Sequence, residues 1–134
     1  MKFRVVPTSV HSAVDHVVGP TLVLAPELFR LPKASPEGIA PRVTGALAAV
    51  YSNLTDYELS LKNLIPMRVH LALDAMSGAA LAGVPLATGA RKRGLLHWLP
   101  HTVIGAMEIG LALTTKTEAP RTRTGRIRNL LRLT

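Results

Sequence analysis

The chain has no cysteine, so neither a disulfide nor a thiolate metal site is open to it. Aromatic residues are scarce as well, at 4%. Acids are outnumbered: 8 Asp and Glu stand against 16 Lys and Arg, for a net charge of +8. Such an excess can signal nucleic acid, but binding faces of that kind interleave cations with aromatics on a folded surface. Here the cations fall in loops and in a C-terminal tail, with Arg42 at a helix start. The pattern therefore points away from nucleic acid. No nucleophile sits beside a base and no glycine-rich phosphate loop occurs, so no catalytic residue is expected. The first residues do not read as a cleavable signal, because His11, Asp15 and His16 interrupt the apolar stretch.

What the chain does have is apolar length. Hydrophobic residues make up 48% of its 134 residues, and the mean hydropathy of +0.27 is held down by polar ends. Four apolar segments lie at about 9–29, 39–54, 66–88 and 98–115. Each is close to the ~20 residues that cross a bilayer. All carry Ala and Gly, which let helices approach closely in lipid. The expected fold is all-α, a bundle of four transmembrane helices occupying residues 1–115, with a basic tail at 116–134.

Punctuation supports those boundaries. Thr8 or Ser9 can cap the first helix. Ser35, Pro36 and Glu37 read as N-cap, first-position proline and first-turn acid. Pro41 and Pro100 can each restart a helix at its first turn, and Pro66 begins the third. Between the second and third segments, Thr55 and Glu58 have capping-box spacing. They predict a short surface helix carrying Leu59, Leu61 and Leu64, and capping explains the acids there better than catalysis does.

The strongest signal is self-similarity. Val10-His11-Ser12-Ala13-Val14-Asp15 aligns with Val69-His70-Leu71-Ala72-Leu73-Asp74 at an offset of 59. Gly19 and Gly78, Pro26 and Pro85, and Pro41 and Pro100 keep that offset; Gly45 and Gly105 follow after one slipped residue. The chain therefore reads as two tandem helical hairpins, at about 8–54 and 66–115, joined by a surface linker at about 55–65. Two crossings per hairpin insert both copies in one orientation, about an axis along the membrane normal. Lys2, Arg4, Lys62, Arg68, Lys116 and the tail outweigh Arg30, Lys33, Arg42, Arg91, Lys92 and Arg93 on the other side. By the positive-inside rule both termini are expected in the cytoplasm, with the chain in the cell's inner membrane. Trp98 lies near the opposite interface.

The twin His-x-x-x-Asp-x-x-x-Gly segments, each followed by a proline, resemble the SPW-repeat membrane proteins of bacteria. So do Leu54-Thr55-Asp56-Tyr57-Glu58 and the Ile65-Pro66-Met67 that precedes the second copy. The likeness covers about residues 8–115. At the signature itself the chain reads Ala25-Pro26-Glu27 and Val84-Pro85-Leu86, keeping the proline alone. The resemblance implies a multi-pass membrane protein and implies no activity.

The repeat sets up a polar layer. His11 and Asp15 lie on one helix face, as do His70 and Asp74, with Gly19 or Gly78 one turn further along, where the two repeat helices would touch. A rise of about 1.5 Å per residue puts Asp15, Asp74 and Glu108 roughly 10–12 Å from the cytoplasmic helix ends. Ionisable groups at such depth face the bundle interior and pair. Three roles compete for the layer. It can lock the hairpins together, form a proton or cation path, or ligate a metal or an axial pigment through the histidines. No paired-histidine helix motif supports the last, so neither metal nor cofactor is expected. Glu108 has no counterpart in the first copy, where Ala48 and Ala49 stand; it can serve this layer, His16 or a neighbouring subunit.

The favoured function is a non-enzymatic accessory or scaffold subunit, or a self-associating bundle, because so small a bundle exposes much small-residue surface. A small proton or cation transporter using Asp15, Asp74 and Glu108 is the alternative, and a soluble four-helix bundle a further one. The tail, with Arg126, Arg128 and Arg132 among aliphatics, suits anionic lipid at about 1 kcal/mol per cation. It serves equally as a plain topological anchor.

Overall fold

A computed structural model describes residues 3–118, so the tail beyond Glu118 lies outside the described residues. The described chain is helical, with four long helices: α1 (Thr8–Leu28), α2 (Pro36–Leu54), α3 (Met67–Thr88) and α4 (Leu95–Thr114). A single turn of 3-10 helix, Ala90–Arg93, sits between the last two. Gly89 ends α3 in the left-handed conformation (φ 66°), which glycine adopts without a Cβ penalty.

Each helix packs first on its sequence neighbour, α1 on α2 and α3 on α4, while α2 joins the two pairs by packing on α3. Glycine is the reason the neighbours come so close. A Cβ on Gly45 would lie 2.6 Å from the Gly19 carbonyl oxygen, and one on Gly105 would collide with the Gly78 carbonyl. This corrects the expected use of Gly19 and Gly78. They bring together the two helices within each hairpin, not α1 and α3, because the face they share with the aspartates is wide enough to meet two neighbours. Pro26, Pro41 and Pro85 are fully buried along the same contacts.

Equivalent bonds recur in the two halves. Val6 N–H donates to Thr114 O at 3.0 Å, and Lys116 N–H to Val6 O at 3.0 Å. Ile65 N–H donates to Leu54 O at 2.8 Å, and Asp56 N–H to Ile65 O at 2.8 Å. Residues 6 and 65, each just before a helix-leading proline, thus make the same short parallel bridge to Thr115 and Thr55 respectively. These bridges tie the start of each odd-numbered helix to the end of an even-numbered one, so the N-terminal segment, the linker and the end of α4 share one end of the bundle.

The linker differs from expectation. No helix forms between Leu54 and Pro66; turns and the bridge fill the space. Leu61 and Lys62 N–H groups both fold back to Asn53 O at 3.0 Å, and Leu59, Leu61 and Leu64 are exposed. A seam that must close on the end of α2 leaves no room for an independent helical turn. Other boundaries shift too. Pro7, not Thr8 or Ser9, is the N-cap of α1 and makes no side-chain cap. Pro41 and Pro100 lie inside helices that begin at Pro36 and Leu95.

Candidate functional site

The site is built where α1 and α3 begin. His11 and His70 are fully buried, and their imidazoles meet edge to face with centroids 5.2 Å apart. Their Nε2 atoms are 3.1 Å apart. His11 Nε2 lies 2.8 Å from Asp74 Oδ2 and 3.5 Å from Asp15 Oδ1. His70 Nε2 lies 3.0 Å from Asp15 Oδ2 and 3.1 Å from Asp74 Oδ2. The closest pairing for each histidine is therefore crosswise, to the aspartate of the other helix. One ligand-type atom from each of the four residues falls within 4.8 Å of the others.

Around this square stands a second ring of hydroxyls. His70 Nδ1 is 2.8 Å from Thr55 Oγ1, and His11 Nδ1 is 2.8 Å from Thr115 Oγ1. Tyr51 donates to Asp74 Oδ1 at 2.6 Å, and Tyr57 donates to Asp15 Oδ2 at 3.0 Å. These are the chain's two tyrosines, each spent on one aspartate. Burial, and then the negative charge of Asp15, push the Tyr57 phenol above its ordinary range, so it remains a donor at neutral pH. Ser52 adds a weak contact to Asp15 at 3.4 Å.

The structure brings His11, Asp15, His70 and Asp74 together. Glu108 lies beside them and not among them: its carboxylate accepts from Ser77 at 2.8 Å. It joins His11, Asp15, Asp74 and Tyr51 in lining a cavity of about 10 Å³, room for roughly one water. With Nε2 facing Nε2 at 3.1 Å, neither histidine has space for a planar macrocycle on its axis. Thr55 and Glu58 do not cap a helix. Thr55 is a histidine partner, and Glu58 accepts from Thr8 Oγ1 at 2.7 Å, bracing the linker against α1.

A second polar group lies at the other end. Glu37, which does stand in the first turn of α2, is fully buried. It accepts from Ser35 Oγ at 2.7 Å and pairs with Arg93 at 2.6 Å. Its backbone carbonyl accepts from His101 Nε2 at 2.8 Å. The cause is local: Pro41 has no N–H to return to the carbonyl four residues before it, which is that of Glu37. His101 fills the vacancy. Nearby, Glu27 is shared by Lys33, at 3.1 Å, and Arg42.

Sequence reasoning missed Tyr51, Tyr57 and Thr115 at the first site, and Glu37, Arg93 and His101 at the second. The rarity of tyrosine was the one available signal for the first group. For the second, a proline four residues after Glu37 predicts an orphan carbonyl, though not which side chain takes it.

Nothing matching the chain is found among protein families, curated proteins or solved structures. The geometry alone carries the functional argument.

Proposed function

We propose that the chain is a four-span membrane protein related to the SPW-repeat proteins, made of two tandem hairpins clasped by the His–Asp cluster. In this reading it acts without catalysis, as an accessory or scaffold subunit or by self-association. The observation that carries it is the inverted distribution of side chains. Val10, Val17 and Leu24 of α1, Leu47 and Val50 of α2, Met76 and Leu86 of α3, and Val103 and Leu113 of α4 are exposed. Glycine and proline aside, the buried set among the described residues holds ten polar or charged residues and ten apolar ones. In water such an outer surface costs about 25 cal/mol per Å² of apolar area left wet. In a bilayer it is the solvated face, and the polar groups belong inside.

Among the described residues, α3 alone is long and apolar enough to count as a candidate span by composition, with mean hydropathy 1.4 over its best window. The other helices carry Asp15, Glu27, Glu37, Arg42 or Glu108, whose side chains are paired or hydrogen-bonded, which lowers the cost of immersion. Alkaline extraction of expressing membranes tests the reading. The chain should stay in the pellet and need detergent for release. Release as a monomer without detergent would favour the soluble bundle instead. Topology can be read separately, since a cysteine-free chain accepts single reporters. Lys62→Cys should be shielded from an impermeant thiol reagent in intact cells and Lys92→Cys labelled.

One observation keeps proton or cation handling as a second reading. Glu108 borders the small cavity that Asp15 and Asp74 also line. Proteoliposomes of the wild type would then carry a flux that Glu108→Gln removes; their tightness to protons and cations would leave the clasp as the role of the cluster.

A further inference from the structure

We propose that His11, Asp15, His70 and Asp74 form a closed site for one divalent transition metal of zinc's size, which pins the two hairpins to each other.

The argument begins with a carbonyl. Thr55 N–H bonds to Ser52 O at 3.3 Å, so it leaves the Tyr51 carbonyl at the end of α2 without that backbone donor. Thr55 Oγ1 supplies one, donating to Tyr51 O at 2.7 Å. A hydroxyl has a single hydrogen. Thr55 Oγ1 must therefore accept from His70 Nδ1–H, 2.8 Å away. The neutral ring then carries its lone pair on Nε2, the atom aimed at the cluster centre. His11 Nδ1 has the matching threonine, Thr115, at the same distance, and with that hydroxyl accepting in the same way His11 Nε2 carries a lone pair too.

In that state two Nε2 lone pairs and two carboxylates converge on one buried point, and they repel each other unless a cation or protons intervene. If both imidazoles were protonated at Nε2, two N–H groups would face each other across 3.1 Å. A dication answers the whole set. Two neutral imidazoles and two carboxylates sum to −2, so the occupied site is neutral, which a low-dielectric interior favours. The spacing is close to that of such an ion as well. Nitrogen and oxygen ligands at 2.0–2.2 Å from a tetrahedral zinc stand about 3.3 Å apart. The nitrogen–nitrogen and nitrogen–oxygen separations given above run from 2.8 to 3.5 Å, with Asp15 offering Oδ1 to His11 and Oδ2 to His70; the set of one atom per residue lies within 4.8 Å, so the carboxylates draw in to close on one ion.

Supporting groups complete the resemblance to a metal centre. Ligating histidines hold their second nitrogen on an acceptor, and ligating carboxylates are themselves hydrogen-bonded. Thr55 and Thr115 do the first here, Tyr51 and Tyr57 the second. Four protein ligands leave no open position, the arrangement of a structural ion. No local motif announces the site, because each helix supplies only two ligands and the repeat supplies the other two. The inference goes beyond the membrane reading and does not depend on it.

The test uses untagged full-length protein in detergent, stripped with a chelator and titrated calorimetrically with Zn²⁺, with Co²⁺ as a spectroscopic substitute. One equivalent per chain and the visible bands of tetrahedral Co²⁺ are expected. The His11→Asn/His70→Asn double variant should lose both while remaining helical. Thr55→Val keeps all four ligands but frees the His70 tautomer, and should weaken Zn²⁺ binding about 10–100-fold at unchanged stoichiometry. A folded wild type that binds no Zn²⁺ or Co²⁺ overturns the proposal, as does undiminished binding by a helical double variant. If that variant does not fold, Thr55→Val decides: weakened binding supports the site and unchanged binding overturns it. None of these results bears on whether the chain sediments with membranes.

Discussion

The two ends of the bundle solve one problem in different ways. At the end shared by the N-terminal segment, the linker and the close of α4, polar groups come in pairs, one from each half: His11 with His70, Asp15 with Asp74, Thr115 with Thr55. At the other end the polar groups are single. Glu37 has Arg93 and His101, and no residue of the first hairpin plays the part of either. A doubled site holds its partners by symmetry, so each bond formed brings its twin. A single site has to be completed by whichever side chain the local backbone leaves room for.

Removing one charge at each end should expose the contrast most strongly. Asp74→Asn breaks the buried network at its centre, where loss of one partner costs about 3–5 kcal/mol. Arg93→Ala should cost less, about 1–2 kcal/mol, since the Arg93 side chain is 45% exposed and water can take over part of its pairing with Glu37. Denaturant unfolding in detergent, followed by helical signal, compares the two. Equal losses would mean that the doubled site has no special weight.

Between the ends, the glycine contacts should rank next. Gly45→Ala drives a methyl group to 2.6 Å from the Gly19 carbonyl, a backbone atom that cannot swing aside, and overpacking of that kind costs about 1–3 kcal/mol. Gly83→Ala meets nothing within 4 Å and should be neutral or slightly stabilising, as alanine favours a helix. If the two variants unfolded alike, close packing within the hairpins would not be what the glycines provide.

Much of the doubled end could be read from the chain. An i, i+4 His–Asp pair is a local pattern, and the same pattern 59 residues on forces the two to be considered together. Fold class, four helices and the four central residues follow from that. The rest depended on tertiary choices that local pattern does not encode. Gly19 was placed against α3 because it shares a face with Asp15, but that face also borders α2. Thr55 and Glu58 have the spacing of a cap, yet the bridge to Ile65 claims the backbone that a cap would need. Tyr51 and Tyr57 reach the aspartates from α2 and the linker, and nothing in their own neighbourhood says so.

The tyrosines allow a sharper test of the pairing. Tyr51 serves Asp74 and Tyr57 serves Asp15, so Tyr51→Phe and Tyr57→Phe should each cost about 1.5 kcal/mol, the low end for a hydrogen bond to a charged group. Their combination should depart from additivity, because both carboxylates contact both histidines. Strict additivity in a thermal-unfolding cycle would show two separate His–Asp pairs in place of one cluster.

The smallest loss expected belongs to the single end, and it isolates cause more cleanly than the larger ones. His101 is held at 2.8 Å from the Glu37 carbonyl because Pro41 cannot supply the N–H that a helix would normally return there. His101→Phe leaves that buried carbonyl unpaired and should cost about 1 kcal/mol. In a Pro41→Ala background the restored N–H can reach Glu37 O along the helix, so the same substitution should cost close to nothing. The difference between the two backgrounds is a coupling energy between residues 41 and 101, read from a double-mutant cycle. A coupling near zero would mean that His101 contributes through packing alone. A coupling near the full cost would mean that one backbone vacancy, set by a single proline, decides which side chain completes the unpaired end.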